Sequence, residues 1–428
     1  MFHRRTFAAL LLLACLLNGT PLLMGRIGLL DPTSYIADRQ RFCPSSGPPA
    51  GLVSACAPVK PSAAPEHLDG FERLDLRRLH APPGSWAMLK AFRLLLLLGC
   101  PLLVLWGMVQ GLWPWPGLRP LLPAVPLLAS SVMALLVALP QAPLAELLFS
   151  LTSMAWLPLL VLSGPISQLP VLVQVARAMA LLILLQIPVM LLEAIWGLPM
   201  SFGPPAAQLA QASVGLPTRL VGTFILPNIL GVAVVCLQGF CMAYLPQRRA
   251  LMPVVLAVLP IVMLARSGTG LLIWVVLMAF WANRAWRPHP ALKLMSLTLL
   301  APIALALPLL LGRSDLWQSL SGRLSILNSG MASSSSWQLL FGQGLLHGRP
   351  TDSLPAQLLL EGGLLALAAF YGLLAWAWFH DPQARPFLLA VSLTSLTLTV
   401  GQLFPINFLL AISVNGSLML ASLSQKSP

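Results

Sequence analysis

The sequence predicts an all-α, polytopic transmembrane bundle of about 12 spans, and three observations predict it. Of 428 residues, 57% are hydrophobic and only 9% are charged. Soluble domains carry about 25% charged residues, so this chain has too little polar surface to cover a folded domain of its size. The mean hydropathy is +0.84. Finally, the apolar residues form continuous runs near the roughly 20 residues that cross a bilayer as a helix, without the alternation of a β-barrel. These features exclude a soluble enzyme, a disordered tail and a nucleic-acid-binding module.

Apolar runs place spans at about 7–24, 93–112, 119–139, 143–163, 173–197, 223–245, 250–265, 267–284, 291–311, 356–379, 386–402 and 404–422. The first follows His3-Arg4-Arg5. It reads as a retained span, because no small-residue cleavage pattern follows where a signal peptide would have one. The seventh and eighth are short and parted only by Arg266-Ser267-Gly268, so a bent or re-entrant arrangement suits them. Pro188, Pro260 and Pro302 imply kinks of the kind membranes tolerate. No internal repeat is evident, and 1–428 reads as a single membrane domain.

Charge orients the bundle. A net charge of +13 in a soluble protein would suggest nucleic acid, but in a membrane protein Lys and Arg mark cytoplasmic loops. With the N-terminus inside, twelve spans put Gln247-Arg248-Arg249, the Arg284–Lys293 segment, Arg385 and Lys426 inside too. Both termini are then cytoplasmic. Two longer polar segments fall outside: 25–90, rich in Pro and Ser, and 312–355. Cys43 and Cys56 share the first and can pair if it faces an oxidising compartment. The other cysteines read as small packing residues, and no CxxC or Cys/His metal spacing occurs.

Arg219, Arg266, Arg313, Arg323 and Arg349 remain outside against this bias, opposed mainly by Asp315 and Asp352. Any one of them can simply snorkel to lipid headgroups. Five on one face of so uncharged a chain favour a ligand, because misplaced intramembrane or span-end charge marks function. The guanidinium fork matches phosphate oxygens, so Arg219, Arg266, Arg323 and Arg349 are the candidate diphosphate-binding residues. The run Arg219-Leu220-Val221-Gly222-Thr223-Phe224-Ile225-Leu226-Pro227-Asn228 interrupts a span entrance with residues that free backbone groups. Arg266-Ser267-Gly268-Thr269-Gly270 is an outer turn, and Gly322-Arg323 precedes Phe341-Gly342-Gln343-Gly344 and Glu361-Gly362-Gly363.

In order and spacing, these segments resemble the O-antigen ligase and O-antigen polymerase-like family of polytopic membrane glycan transferases. The resemblance runs from about Arg219 to the end of the tenth span; 25–90 matches no family we can name. It implies a metal-independent, cofactor-free glycosyltransferase at the outer face of the cytoplasmic membrane. The donor would be a polyprenyl-diphosphate-linked glycan, and polysaccharide chain-length and export proteins would be partners. Positions matching the family's arginines, Arg219, Arg266 and Arg323, would hold the diphosphate, a leaving group that needs charge stabilisation more than a proton. Family ligases carry His-Asn about eleven residues before the glycine of the next span. Here that position holds Asp352-Ser353, which favours a polymerase of repeat units over a lipid A-core ligase. Asp352, with His347 as second candidate, is the expected general base toward an acceptor hydroxyl, unless Asp352 merely caps the next helix. Glu361 either bonds within its span or orients Arg323 or Arg349. Two other classes stay open: a transporter or flippase of lipid-linked glycan that makes no bond, and a non-catalytic scaffold of an export complex.

Overall fold

A computed structural model describes residues 2–17, 119–140, 167–196, 223–224, 227–285, 328, 331, 334–344, 353–398, 403 and 405–424. Among these residues every regular element is helical, with no strand. In chain order they are α1 (Phe2–Leu17), a 3-10 segment (Arg119–Ala124) leading into α2 (Val125–Ala138), α3 (Leu169–Trp196), α4 (Pro227–Tyr244) and α5 (Arg248–Leu264). Then come α6 (Gly268–Ala285), the short α7 (Ser336–Phe341), α8 (Leu354–His380), α9 (Arg385–Ser395) and α10 (Ile406–Ser424). Three stretches, Leu121–Ala138, Leu169–Leu191 and Leu354–His380, are long and apolar enough to cross a membrane. Shorter apolar helices accompany them. This is the helix inventory of a membrane protein.

Helix bounds follow the apolar runs closely at α2, α3, α4, α5, α6, α8 and α10. The expected spans at 93–112, 143–163 and 291–311 lie outside the described residues, as do segment 25–90 and the Cys43/Cys56 pair. One helix departs from expectation: α9 stops at Ser395 and does not continue to residue 402. Its eleven residues rise about 16 Å, half the hydrocarbon thickness. The run Ser392-Leu393-Thr394-Ser395-Leu396-Thr397 explains the stop. Ser395 Oγ donates to Ser392 O at 2.6 Å and Thr397 Oγ1 to Thr394 O at 3.2 Å, and such side-chain bonds compete with the helical ladder.

The core is organised around α4. Every residue from Leu230 to Cys241 is buried, as expected of a helix that is apolar all round and enclosed. It packs on α9, α3, α6 and α5. Because lipid tails are as apolar as the side chains, close packing and polar contacts hold such helices together. Gly239 lets α9 approach, since a Cβ there would sit 3.0 Å from Pro386 O. Phe240 meets Phe387 edge-on at 5.1 Å, and Cys236 Sγ lies 3.1 Å from Thr394 Oγ1. On the other flank, α8 packs against α7, α2, α10 and α9.

Helix direction fixes which loops share an end. The C-termini of α4 and α8 meet through α10: Tyr244 Oη and Ser413 Oγ are 2.7 Å apart, and Ser417 Oγ donates to Asp381 Oδ2 at 3.1 Å. A cavity of about 620 Å3 lined by Ala243, His380, Asp381 and Leu420 opens between them. Helix α6 runs parallel to α4, with Gly270 beside Gly231 and Met278 beside Gln238. The N-termini of α4, α6 and α8 therefore share the opposite end. Arg248, Arg249, Arg284 and Arg385 gather at the Asp381 end, and Arg266 stands at the other.

Candidate functional site

At the Arg266 end, the sequence forces two close approaches between backbones. The first joins α4, α5 and α6. Helix α5 closes with Arg266 N–H donating to Met263 O at 3.0 Å and Ser267 N–H donating to Val262 O at 3.2 Å. That pair of bonds is a Schellman ending, which places one residue in the left-handed region, usually glycine. Here the residue is Arg266, at φ 49°, the only non-glycine residue with positive φ among those described. Left-handed backbone costs an ordinary residue roughly 1–2 kcal/mol.

Ser267 follows at once, fully buried, and starts α6 by accepting a bond from Gly270 N–H at 3.2 Å. The turn can reach α4 only because residue 231 lacks a side chain: a Cβ on Gly231 would sit 2.2 Å from Ser267 Cβ. The Arg-Ser turn thus rests on the first turns of the helix that opens with Pro227-Asn228. Just ahead of that helix, Thr223 is fastened to α3. Its N–H donates to Gln186 Oε1 at 2.9 Å, and Gln186 Nε2 donates to Thr223 Oγ1 at 2.9 Å and to Leu182 O at 3.0 Å. Gln186 is fully buried, so losing these partners would strand an amide in an apolar surround.

The second approach joins α7 to α8. Gly363 has φ 70° and ψ −171°, non-helical values that break α8 ten residues from its start. The break frees carbonyls, and the Phe341-Gly342-Gln343-Gly344 segment takes them. Gln343 N–H donates to Leu360 O at 2.7 Å and Gly344 N–H to Glu361 O at 3.2 Å. The chains touch at glycines: a Cβ on Gly342 would lie 2.2 Å from Glu361 O, and one on Gly363 would lie 2.3 Å from Leu340 O. Just N-terminal to the break, Gln357 and Glu361 are both almost fully buried, and Gln357 Nε2 donates to Glu361 Oε2 at 3.0 Å. Gln357 Oε1 accepts no hydrogen bond from the described residues. Gln343 Nε2 donates in turn to Ser334 Oγ.

Of the residues singled out from sequence, Arg266 is described, half-buried at the turn. Arg219, Arg323, Arg349, His347 and Asp352 lie outside the described residues. The structure does bring together segments that the sequence only ordered: Gly231 with Ser267 and Gly270, and residues 342–344 with 360–363. Sequence reasoning missed Gln186 and Gln357. Both were visible as amides within apolar runs, the feature that marks polar contacts between membrane helices. Among the described residues no group of His, Cys, Asp and Glu is arranged to hold a metal ion. No family model, curated protein or solved structure matches the chain.

Proposed function

We propose that this protein is a glycosyltransferase that polymerises, or ligates, polyprenyl-diphosphate-linked oligosaccharide repeat units at the outer face of a bacterial cytoplasmic membrane. The observation that carries the reading is Arg266. A guanidinium is carried on a strained left-handed turn where glycine would rest without strain, at the end of the bundle away from Arg249 and Arg385. Strain kept in a loop is offset by the rest of the fold and points to a use for the side chain. By the positive-inside bias, the end rich in Arg248, Arg249, Arg284 and Arg385 is cytoplasmic, and Arg266 is then extracytoplasmic.

In the proposed reaction the acceptor hydroxyl oxygen bonds to the anomeric carbon of the donor sugar. The bond from that carbon to the phosphate oxygen breaks, and its electron pair leaves with the diphosphate. Arg266, with Arg219, Arg323 and Arg349, holds the departing charge; preorganised cations of this kind are a large source of rate. The hydroxyl proton passes to Asp352 or His347, acting as base. Polysaccharide chain-length and export proteins are the expected partners.

The test replaces Arg266 or Arg219 by alanine and follows surface polysaccharide together with lipid-linked repeat units. Loss of chain growth with accumulation of single repeats, at normal protein level, is expected. Wild-type polymer length in both variants would overturn the assignment. Translocation of labelled lipid-linked glycan in vesicles without new glycosidic bonds would assign the protein to transport.

A further inference from the structure

We propose that α7 is a membrane-interface anchor, seating its aromatic face in the lipid leaflet at the Arg266 end of the bundle. The short helix presents its largest side chains to the outside. Trp337 is 72% exposed and lies nearly parallel to Phe341, with ring centroids 5.5 Å apart at 18°. Leu340 and Phe341 are exposed beside it, and Met331 just before it. In water such a patch would be costly, and it carries no charge: Ser334–Gly344 contains no Asp, Glu, Lys or Arg. Its polar groups are turned to local use. Ser335 Oγ accepts from Gln338 N–H at 3.3 Å, and Ser335 N–H donates to Gln338 Oε1 at 2.9 Å, closing the helix start on itself.

Continuity identifies the occupant. Segment 342–344 lies on the last turn of α2, where a Cβ on Gly344 would meet Val137 Cγ1 at 3.1 Å. The outward face of that turn is apolar and exposed through Val132, Met133, Leu136, Val137 and Leu139. Helix α2 and its 3-10 lead-in are one of the stretches able to cross a membrane, and most of that stretch is not buried inside the protein. Leu364 and Leu365 are exposed immediately past the break in α8. The α7 patch therefore continues a lipid-facing wall at its end, the level where Trp concentrates between acyl chains and headgroups. An uncharged helix with one aromatic face and one serine-glutamine face suits that boundary. The inference stands apart from the proposed glycan chemistry, since it needs only that α2 and α8 cross a bilayer.

The experiment uses the full chain in vesicles of phosphatidylethanolamine and phosphatidylglycerol. Nitroxide labels are placed at Trp337→Cys, Leu340→Cys and, as a reference, Ser336→Cys, and the signal of the labelled parent chain is subtracted. All three side chains are exposed, and the one contact given up is the surface stack of Trp337 on Phe341. Labels at 337 and 340 should collide with dissolved oxygen several-fold more, relative to a water-soluble nickel complex, than the label at 336. Equal nickel access at all three positions would overturn the anchor. Nickel access at 337 that is lost only on adding soluble oligosaccharide would also overturn it, in favour of a sugar-stacking surface.

Discussion

The two ends of this bundle are held by opposite means. At the Arg266 end, glycine backbone is met at close range: Gly231 by the Ser267 side chain, and Gly342 and Gly363 by the backbone of Glu361 and Leu340. At the Asp381 end, side chains do the joining. Tyr244 bonds Ser413, Ser417 bonds Asp381, and Asp381 Oδ1 accepts from Gln383 N–H at 2.9 Å and Ala384 N–H at 3.2 Å to fix the turn into α9. Arg385 then donates to Trp378 O at 2.9 Å and lies over the Trp378 ring. The first arrangement tolerates no added volume, and the second no lost hydrogen bond.

The largest effect should come from adding one methyl group at the α7–α8 junction. Gly363→Ala must place a Cβ at positive φ and 2.3 Å from a carbonyl oxygen. The left-handed cost of about 1–2 kcal/mol and an overpacking cost of about 1–3 kcal/mol add at the same site. Thermal unfolding in detergent should show a loss of about 2–5 kcal/mol, or no folded protein at all. Gly342→Ala should behave alike. Gly372→Ala, nine residues further along α8 with nothing within 4 Å of its Cβ, should be neutral or stabilising by up to about 1 kcal/mol. Equal tolerance at 363 and 372 would mean that α8 is not broken where described.

A middle-sized effect is expected at the other end. Asp381→Ala removes a side-chain acceptor used by two backbone N–H groups and the Ser417 hydroxyl; Ala384 N–H and Ser417 Oγ keep Asp381 O and Ser413 O as acceptors, so the loss should be about 1–2 kcal/mol. Ser417→Ala removes one of those bonds and should cost about 1 kcal/mol by the same measure. Polymer length should be unchanged in both variants once stability is allowed for. A polymerisation defect in Ser417→Ala at normal protein level would show that the Asp381 end is more than a fastening.

Much of this fold was legible because hydropathy alone marks a helix that must cross lipid, and the bounds of α2 to α6 follow it within a few residues. The failure at α9 is instructive. Phe387-Leu388-Leu389-Ala390-Val391 reads as the start of a span, but the following Ser and Thr residues bond carbonyls three residues back and the helix ends after eleven residues. Average hydropathy counts them as only mildly polar and misses that competition. At the site, the ordered motifs were visible as strings, and so were their glycines. Which glycine faces which backbone was not, because Gly231 meets Ser267, 36 residues away, through helix packing that no local pattern encodes.

The smallest stability change should accompany the largest functional one. Arg266→Gly replaces an arginine at φ 49° by the residue that adopts this conformation most readily. If Arg266 served only to close α5, the variant would be equal or better in every assay. Relief of the left-handed cost should make it as stable as the parent, or more stable by about 1 kcal/mol. The Gly231–Ser267 contact is untouched, since it depends on the turn and not on the guanidinium. Chain growth should nonetheless fall at least tenfold, and Arg266→Lys should recover only part of it, because an ammonium offers a point charge in place of a fork. A variant with raised stability and intact polymerisation would remove Arg266 from the site and reduce its strain to an accident of the turn.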